Sequence, residues 1–238
     1  MFYMNGQTND RCSLMQINRT SEASKYKLDN LDISNSICEK DLGVMVSRDL
    51  KPRQQCISVK NKANRVLGFI SRSVSNRSAN VILQLYLALV RPHLDYAVQF
   101  WSPYYRMDIN SLESVQRRMT KMIHNIRHLP YEDRLKQLKL HSLERRRVRG
   151  DLIEAFKWVK GINKGDISKV LKFSNQDRTR SNGFKLVKFT FHREIGRHWY
   201  GNRVVDEWNK LPEEIVSANR VDTFKNKLDR YMDEKGWV

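Results

Sequence analysis

The hydrophobic pattern divides this chain into a β-prone start and a longer helical part. Between residues 11 and 46, short β-prone runs (SLMQI, KYKL, DISNSI and LGVMV) alternate with Asn, Asp and Ser. Runs of this length between turn-forming residues are typical of strands in a meander or paired hairpins. The pattern predicts a short hairpin or meander at the N-terminus, with too few strands to form a sheet domain alone.

The spacing of apolar residues changes after Pro52. From Val59 to Val74 they recur every three or four residues, while basic residues fall on the other faces, as in an amphipathic helix entered through an early proline. Ser78 is suited to cap a second helix that runs to about Val90 and is apolar on nearly every face, which implies burial.

The helical pattern continues to the end of the chain. Pro92 is expected to end or kink the second helix, because its ring removes a hydrogen-bond donor, and a further short helix is expected over 93–101. Asp108 is the predicted N-cap of a helix reaching Ile126, and Ser142 that of a helix stopped by Gly161. Further helices are expected near 131–138, before Pro212 and after residue 220, and FKLVKFTF alternates like a strand.

These elements predict a mainly α fold with minor β structure: a short hairpin or meander, a helical bundle, and a small helical C-terminal extension with one or two short strands. Residues 162–183 are rich in Asn, Lys, Gly, Asp, Ser and Arg, which favours a flexible connection. The predicted division is 1–50 for the strands, 51–127 for the helical domain, 128–161 for a helical connection, 162–183 for the linker and 184–238 for the extension.

Charge narrows the classes of partner. The chain has 44 Lys and Arg against 26 Asp and Glu, a formal net charge of +18, which favours a polyanionic partner such as nucleic acid or an acidic membrane face, with nucleic acid as the first hypothesis. The longest apolar run, from Val81 to Val90, is shorter than the roughly 20 residues that span a bilayer, so we expect no membrane anchor. The N-terminus has no secretory pattern, so we expect a nuclear or cytoplasmic protein that is not secreted.

The segment from Lys51 through Arg91 contains no acidic residue. Its cations are candidates for contacts with nucleic-acid phosphates, against the alternative of a solvated basic surface. They are Lys51, Arg53, Lys60, Lys62, Arg65, Arg72, Arg77 and Arg91. Arg117, Arg118 and Lys121 lie off the apolar stripe of the next long helix and are further candidates.

A second basic cluster lies in LERRRVRG, with Arg145, Arg146, Arg147 and Arg149. Contacts with nucleic acid, local ion pairs with Glu144 and Asp151, and recognition by a nuclear-import receptor all stay open for this cluster.

No catalytic or metal-ligating constellation is predicted. His124 and His128 are one helical turn apart, but the position of a general-base Glu is Asn125, and no third ligand is evident. The sequence contains no adjacent pair of aspartates of the kind that holds paired metal ions in polymerases. The three cysteines are expected to be ordinary thiols. Five aromatic residues are candidates for base stacking or for the core: Trp101, Tyr104, Tyr105, Trp199 and Trp208.

Five blocks of the sequence occur in the order of a known family. They are EKDLGVMVSRDL (39–50), NKANRVLGFISRSV (61–74), VILQLYLALVRPHLDYAVQFWSP (81–103), LESVQRRMTKMI (112–123) and LERRRVRGDLIEAFK (143–157). These blocks resemble the C-terminal part of the reverse transcriptase of non-LTR retrotransposons of the chicken-repeat and jockey-like clades. VVDEWNKLPEEIV and FKNKLDRYM resemble the end of the same reading frames.

The resemblance implies a role for each part of the chain. Residues 1–50 correspond to the last palm strands, residues 51–127 to the helical thumb beside the template–primer duplex, and residues 184–238 to the C-terminal extension. In the family, the Phe-Ala-Asp-Asp turn that holds catalytic Mg²⁺ precedes such blocks and is absent from this sequence. We therefore expect this chain to bind no cofactor and to catalyse no DNA synthesis.

The leading hypothesis is therefore a truncated RNA-directed DNA polymerase that keeps sequence-tolerant binding of RNA or RNA–DNA duplexes. A helical module that binds a host protein, and a non-functional remnant of a decayed element, remain as alternatives. A palm domain in another chain also stays open as a partner.

Overall fold

The computed structural model describes residues 2–4, 12–17, 26–28, 31–174 and 184–237, and it confirms a mainly helical fold with short strands. The helices are α1 (Arg53–Ser73), α2 (Ala79–Leu85), α3 (Arg91–Asp95), α4 (Val98–Trp101), α5 (Arg106–Lys121), α6 (Tyr131–Gln137), α7 (Leu143–Val159), α8 (Glu194–Arg197), α9 (Tyr200–Asn209), α10 (Glu213–Val216) and α11 (Val221–Glu234). The strands are β1 (Phe2–Met4), β2 (Cys12–Leu14), β3 (Lys27–Leu28), β4 (Leu31–Asp32), β5 (Ser34–Asn35), β6 (Cys38–Asp41), β7 (Val44–Ser47), β8 (Lys172–Phe173) and β9 (Leu186–Val187).

The N-terminal strands form short ladders, as the β-prone runs predict. β1 pairs antiparallel with β2, β2 pairs in parallel with β5, and β3 pairs antiparallel with β4. β6 and β7 form a hairpin in which Asp41 faces Val44. Its two turn residues, Leu42 and Gly43, have φ angles of +43° and +86°, as in the turns that match the twist of a two-residue hairpin. Residues 5–11, 18–25 and 29–30 lie outside the described residues.

The first hydrophobic core lies between α1 and α5, as the apolar spacing after Pro52 predicts. One stripe of α1 is buried, and it packs against the buried face of α5, where Val115 and Met119 have no exposed surface. The stripe consists of Cys56, Val59, Ala63, Leu67 and Ile70. Val44 of the hairpin joins the same core. Because each large apolar side chain buried in this way stabilises the fold by about 1.5–3 kcal/mol, this stripe fixes which face of α1 points outward.

The second helix does not end at Pro92. A π-helical turn, Tyr86–Val90, joins α2 to α3, and the N–H of Arg91 donates to the carbonyl of Tyr86, five residues earlier. A proline has no N–H, and its ring crowds the carbonyl four residues before it, so a locally widened turn lets the helix pass the ring. Tyr86 and Leu94, on either side of the proline, are thereby both held in the first core.

Two predicted helix starts have different outcomes. Ser142 caps α7 as predicted, since its Oγ accepts a hydrogen bond of 3.2 Å from the backbone N–H of Arg145. Asp108 as the N-cap of α5 is wrong, because the helix begins at Arg106, after Tyr105. Asp108 lies inside the first turn and is buried, where a carboxylate interacts favourably with the helix dipole.

The second hydrophobic core is formed by α7, β9 and the C-terminal helices. The rings of Phe156 on α7 and Phe224 on α11 stack with their centroids 4.2 Å apart. Trp208 on α9 is fully buried, and its Nε1 donates a hydrogen bond of 2.9 Å to the carbonyl of Phe184. α7 links the two cores, because its first residue, Leu143, belongs to the first core and Leu152 to the second.

The predicted flexible linker is packed in its described half. Residues 162–174 contain a 3-10 turn, Ile167–Lys169, and then β8, which pairs antiparallel with β9. Leu171 is only 1% exposed and belongs to the second core. The polar composition of the segment predicted a flexible linker because it gave no sign that Leu171 would be buried. Residues 175–183 lie outside the described residues.

Candidate nucleic-acid interface

The outward face of α1 carries a row of cations around an exposed aromatic ring. Lys62, Arg65, Phe69 and Arg72 recur at helical spacing, so they lie on one side of the helix, and we call this set the outer stripe. All four side chains are exposed, and Phe69 is 61% exposed. The helical spacing of positions 62, 65, 69 and 72 is visible in the sequence, but the prediction from the sequence considered only the cations and therefore did not include Phe69.

The cations of the outer stripe have no acidic partner among the residues that the structure describes. The ion pairs found there all involve other side chains. Because α1 contains no Asp or Glu, partners could come only from distant segments, and none of the described ones reaches the stripe. The stripe is therefore a surface of uncompensated positive charge, which attracts polyanions.

The field of the outer stripe reaches a histidine on the neighbouring helix. Burial lowers the pKa of His93 on α3 below its ordinary value, and the charge of Lys62 lowers it further. His93 is therefore held in its neutral form at neutral pH. An anion bound at Lys62 would oppose the second of these two causes.

The remaining cations of the acid-free segment have different surroundings. Lys60 is half-buried, and Arg77 donates a 2.5 Å hydrogen bond to the carbonyl of Ser71, near the end of α1. Arg91 lies 3.8 Å from the carboxylate of Asp95. Lys51 and Arg53 are exposed at the N-terminal end of α1, away from the outer stripe. The acid-free segment thus supplies two separate exposed groups of cations.

The predicted cations of α5 lie beside α1. Arg118 donates a 3.2 Å hydrogen bond to the Oδ1 atom of Asn64 on α1, so its charge lies next to that helix. The guanidinium of Arg117 lies over the ring of Tyr131, 4.8 Å from its centroid. Together with Lys121 they line a cleft of about 550 Å³ between α5 and α6, which also contains Glu132.

The four arginines of the second basic cluster are buried or half-buried and do not form an open surface, which argues against their prediction as nucleic-acid contacts. Arg145 and Arg147 are buried, at 3% and 6% exposure. Three of the four arginines form ion pairs with carboxylates that are distant in sequence: Arg145 with Asp233 at 2.6 Å, Arg146 with Asp95 at 2.7 Å, and Arg149 with Asp229 at 2.5 Å. The acids adjacent in sequence, Glu144 and Asp151, pair instead with Arg106 and Arg203.

The positions of the arginines follow from the role of α7. This helix runs between the two cores, so every side of it faces another part of the protein. Burial lowers the pKa of Arg147, as expected for a cation removed from water. Three of the four, Arg145, Arg146 and Arg149, therefore connect α7 to distant segments, and none of the four extends the outer stripe.

The residues considered for chemistry do not come together. Among the described residues, no group of three or more His, Cys, Asp or Glu side chains is placed to hold a metal ion. His124 and His128 are both exposed. Burial raises the pKa of the Cys56 thiol to about 12, which leaves it protonated and unreactive at neutral pH. Among the described helices, none has both the length and the apolar character to cross a bilayer.

The five aromatic candidates divide between core and surface. Trp101 and Trp208 are buried in the first and second cores. Tyr104 stacks on His198, with ring centroids 3.8 Å apart. Tyr105 and Trp199 are 43% and 45% exposed, so their rings are accessible.

Comparison with protein-family models, with curated proteins and with solved structures gives no match for this chain. The geometry of the chain itself therefore carries the functional argument.

Proposed function

We propose that this chain binds RNA or RNA–DNA duplexes with little dependence on base sequence, as the thumb region of a non-LTR retrotransposon reverse transcriptase. The observation that carries the proposal is the outer stripe, with three exposed cations that have no described acidic partner. The resemblance to the reverse transcriptase supplies the family, and the net charge of +18 fits the same class of partner.

The form of the outer stripe suits contacts with a phosphate backbone. From Lys62 to Arg72 a helix rises roughly 15 Å at 1.5 Å per residue, a length that follows several successive phosphates. Cations on phosphates fix the position of a protein on a duplex but carry no sequence information. Binding through this stripe is therefore sequence-tolerant and salt-dependent.

We propose no DNA synthesis for this chain by itself. Nucleotide transfer in polymerases uses paired metal ions held by carboxylates, and the sequence has no adjacent pair of aspartates. Magnesium-dependent incorporation of nucleotides by the purified chain would overturn this half of the proposal.

The binding half is tested by removing charge from the outer stripe. In the triple variant Lys62→Gln, Arg65→Gln, Arg72→Gln, we expect the slope of log affinity against log salt concentration to become less steep. Its magnitude should decrease by about 2–3, roughly one for each lost phosphate contact. The measurement is fluorescence anisotropy with a labelled RNA–DNA duplex over a range of salt.

The matched control removes the same charge elsewhere. Lys164, Lys169 and Lys172 are exposed and lie outside the first core, so Lys164→Gln, Lys169→Gln, Lys172→Gln should leave the slope nearly unchanged. Equal losses in both variants would show that total charge, not the stripe, governs binding. Absence of duplex binding at low salt, with salt-insensitive binding to a protein, would instead favour the protein-binding alternative.

A further inference from the structure

A large open cleft lies at the N-terminal ends of α1 and α5, away from the outer stripe. We call it the N-terminal cleft; its volume is about 1140 Å³. It is lined by the hairpin, the starts of the two helices and one residue near α8: Ile37, Cys38, Ser47, Arg48, Asp49, Lys51, Arg53, Gln54, Tyr105, Arg106, Met107 and Arg193. Typical small-molecule pockets have 300–1,000 Å³ and enclose their ligand, so this open cleft suits a segment of a polymer better.

The lining of the N-terminal cleft is strongly basic. Five of its residues are cations, and Asp49 is the one acid among them. The carboxylate of Asp49 already accepts hydrogen bonds from the Ser47 hydroxyl and from the backbone N–H of Lys51, at 2.7 and 3.1 Å. Arg106 is paired with Glu144 at 3.1 Å, which lies outside the cleft lining. Lys51, Arg53 and Arg193 form no ion pair with the described residues, so the cleft retains an excess of positive charge.

An exposed aromatic ring lies within this basic lining. Tyr105 is 43% exposed, and Lys51 Nζ lies 5.9 Å from the centroid of its ring. Arg53 Nη1 is 3.6 Å from Met107 Sδ, so this cation contacts an apolar side chain of the cleft lining. Cations beside an accessible ring are the combination with which proteins hold single-stranded nucleic acid, since phosphates pair with the cations and bases stack on the ring.

The N-terminal end of α1 adds to the same charge. This helix has no side-chain hydrogen bond at its N-cap, Pro52, and no acid in its first turn, so the positive end of its dipole lies at the cleft. In α5 the buried Asp108 lies in the first turn and offsets the positive end of that helix.

We propose that the N-terminal cleft binds a single-stranded segment of nucleic acid that continues from the duplex on the outer stripe, with phosphates at Lys51 and Arg53 and a base on Tyr105. The inference rests on the proposed function, because it assigns the unpaired part of the same ligand. The cations of the cleft would bind the phosphates of either single or double strands, whereas stacking on the Tyr105 ring requires an unpaired base.

The test compares duplexes that differ only in their ends. One RNA–DNA duplex is blunt, one carries an unpaired overhang of roughly five nucleotides, within the site sizes of single-strand binders, and one carries an abasic overhang of the same length. Overhangs are placed at either end of either strand. For the natural chain we expect at least one natural overhang to tighten binding about five- to tenfold over the blunt duplex, and the abasic overhang to give a smaller gain from its phosphates.

Two sets of variants separate the ring from the charges. Tyr105→Ala should remove the difference between natural and abasic overhangs, while Tyr105→Phe should keep it and blunt-duplex binding should stay unchanged in both. Lys51→Gln, Arg53→Gln should reduce the gain from both kinds of overhang. Urea unfolding midpoints verify that each variant is folded, and if Tyr105→Ala is not, the charge pair provides the test.

The outcomes distinguish the two proposals. Duplex binding that depends on the outer stripe, with no gain from any overhang or a gain unaffected by Tyr105→Ala and by the charge pair, overturns the cleft assignment and leaves the proposed function standing. Absence of binding to every duplex, blunt or overhanging, overturns both.

Discussion

The guanidinium of Arg203 on α9 donates two hydrogen bonds to the carboxylate of Asp151 on α7, from Nε to Oδ2 at 2.8 Å and from Nη2 to Oδ1 at 3.0 Å. The same guanidinium donates to the carbonyl of Gln99, at 2.7 Å, in the segment that packs with the first core. Only 9% of the Asp151 side chain is exposed, so the pair lies almost entirely out of water. One side chain therefore connects α7, α9 and the region of α4.

Removing the cation of this pair should destabilise the fold strongly. We expect Arg203→Met to lower the free energy of unfolding by about 3 kcal/mol at pH 7, since a buried carboxylate loses its partner. Burial already raises the pKa of Asp151 against the effect of Arg203, so the variant raises it further. The folded variant then binds a proton more readily than the unfolded chain, and the loss of stability should be smaller at pH 5 than at pH 7.

The control for this prediction is an exposed pair. Arg197 and Glu194 lie 3.3 Å apart, with 62% and 68% of their side chains exposed. Arg197→Met should change the unfolding free energy by less than about 0.5 kcal/mol. Urea denaturation followed by tryptophan fluorescence compares the two variants, and similar effects would contradict the role given to burial.

The pair between Arg149 and Asp229 predicts a loss of stability in acid. Burial of Asp229 acts to raise its pKa, but the hydrogen bonds and charge of Arg149 outweigh it, so the pKa lies below the ordinary value of 3.8. A carboxyl group with a lowered pKa in the folded state stabilises the fold above pH 3.8, and this stability is lost as the pH falls through the folded value. Arg149→Gln should flatten this part of the stability curve, measured as the urea midpoint between about pH 5 and pH 2.5. An unchanged curve in the variant would rule out the pair as its source.

Two glycines should respond in opposite directions to alanine. Gly161, which ends α7, has a φ angle of +66° and open space around it, so Gly161→Ala should cost about 1 kcal/mol through backbone strain alone. Gly68 lies within α1 with a helical backbone, and an added Cβ would meet Arg72 Nη1 at an ordinary 3.5 Å. Gly68→Ala should therefore stabilise the chain by about 0.5–1 kcal/mol. Thermal unfolding of the two variants checks both signs, and a stabilising Gly161→Ala would show that the left-handed conformation is not needed.

Binding of nucleic acid should be linked to protonation of His93. In the free chain, burial and the charge of Lys62 lower the pKa of His93 below 6.5. Phosphates bound at Lys62 counter the second effect and raise this pKa, so the complex takes up a proton and affinity should rise as the pH falls below 6.5 toward the pKa of His93 in the complex. The measurement is duplex affinity at constant ionic strength between about pH 7.5 and pH 5.5. His93→Gln should reduce the pH dependence, and an identical profile in the variant would place the bound phosphates away from Lys62.

Much of the helical structure was predictable because it depends on local periodicity. The stripe from Val59 to Ile70 specifies which face of α1 is buried, and the hydroxyl of Ser142 and the conformational freedom of Gly161 specify where α7 begins and ends. The start of α5 was not predictable in this way. Asp108 has a residue type that suits an N-cap, but the helix begins two residues earlier, and Leu112 is buried in the first core by packing that the local sequence does not specify.

The sequence places the cations Lys62, Arg65 and Arg72 on one face of α1, since they recur at helical spacing and the helix contains no acid. It did not determine which cations stay exposed. Arg149 and Asp229 are 80 residues apart, and Arg203 and Gln99 are 104 apart, so these contacts depend on how the helices pack. Local spacing sets the face of a helix on which a charge lies, whereas the packing of distant segments determines whether that charge contacts a carboxylate or water. For this reason three arginines of α7 pair with distant carboxylates, whereas the cations of the outer stripe have no acidic partner among the described residues.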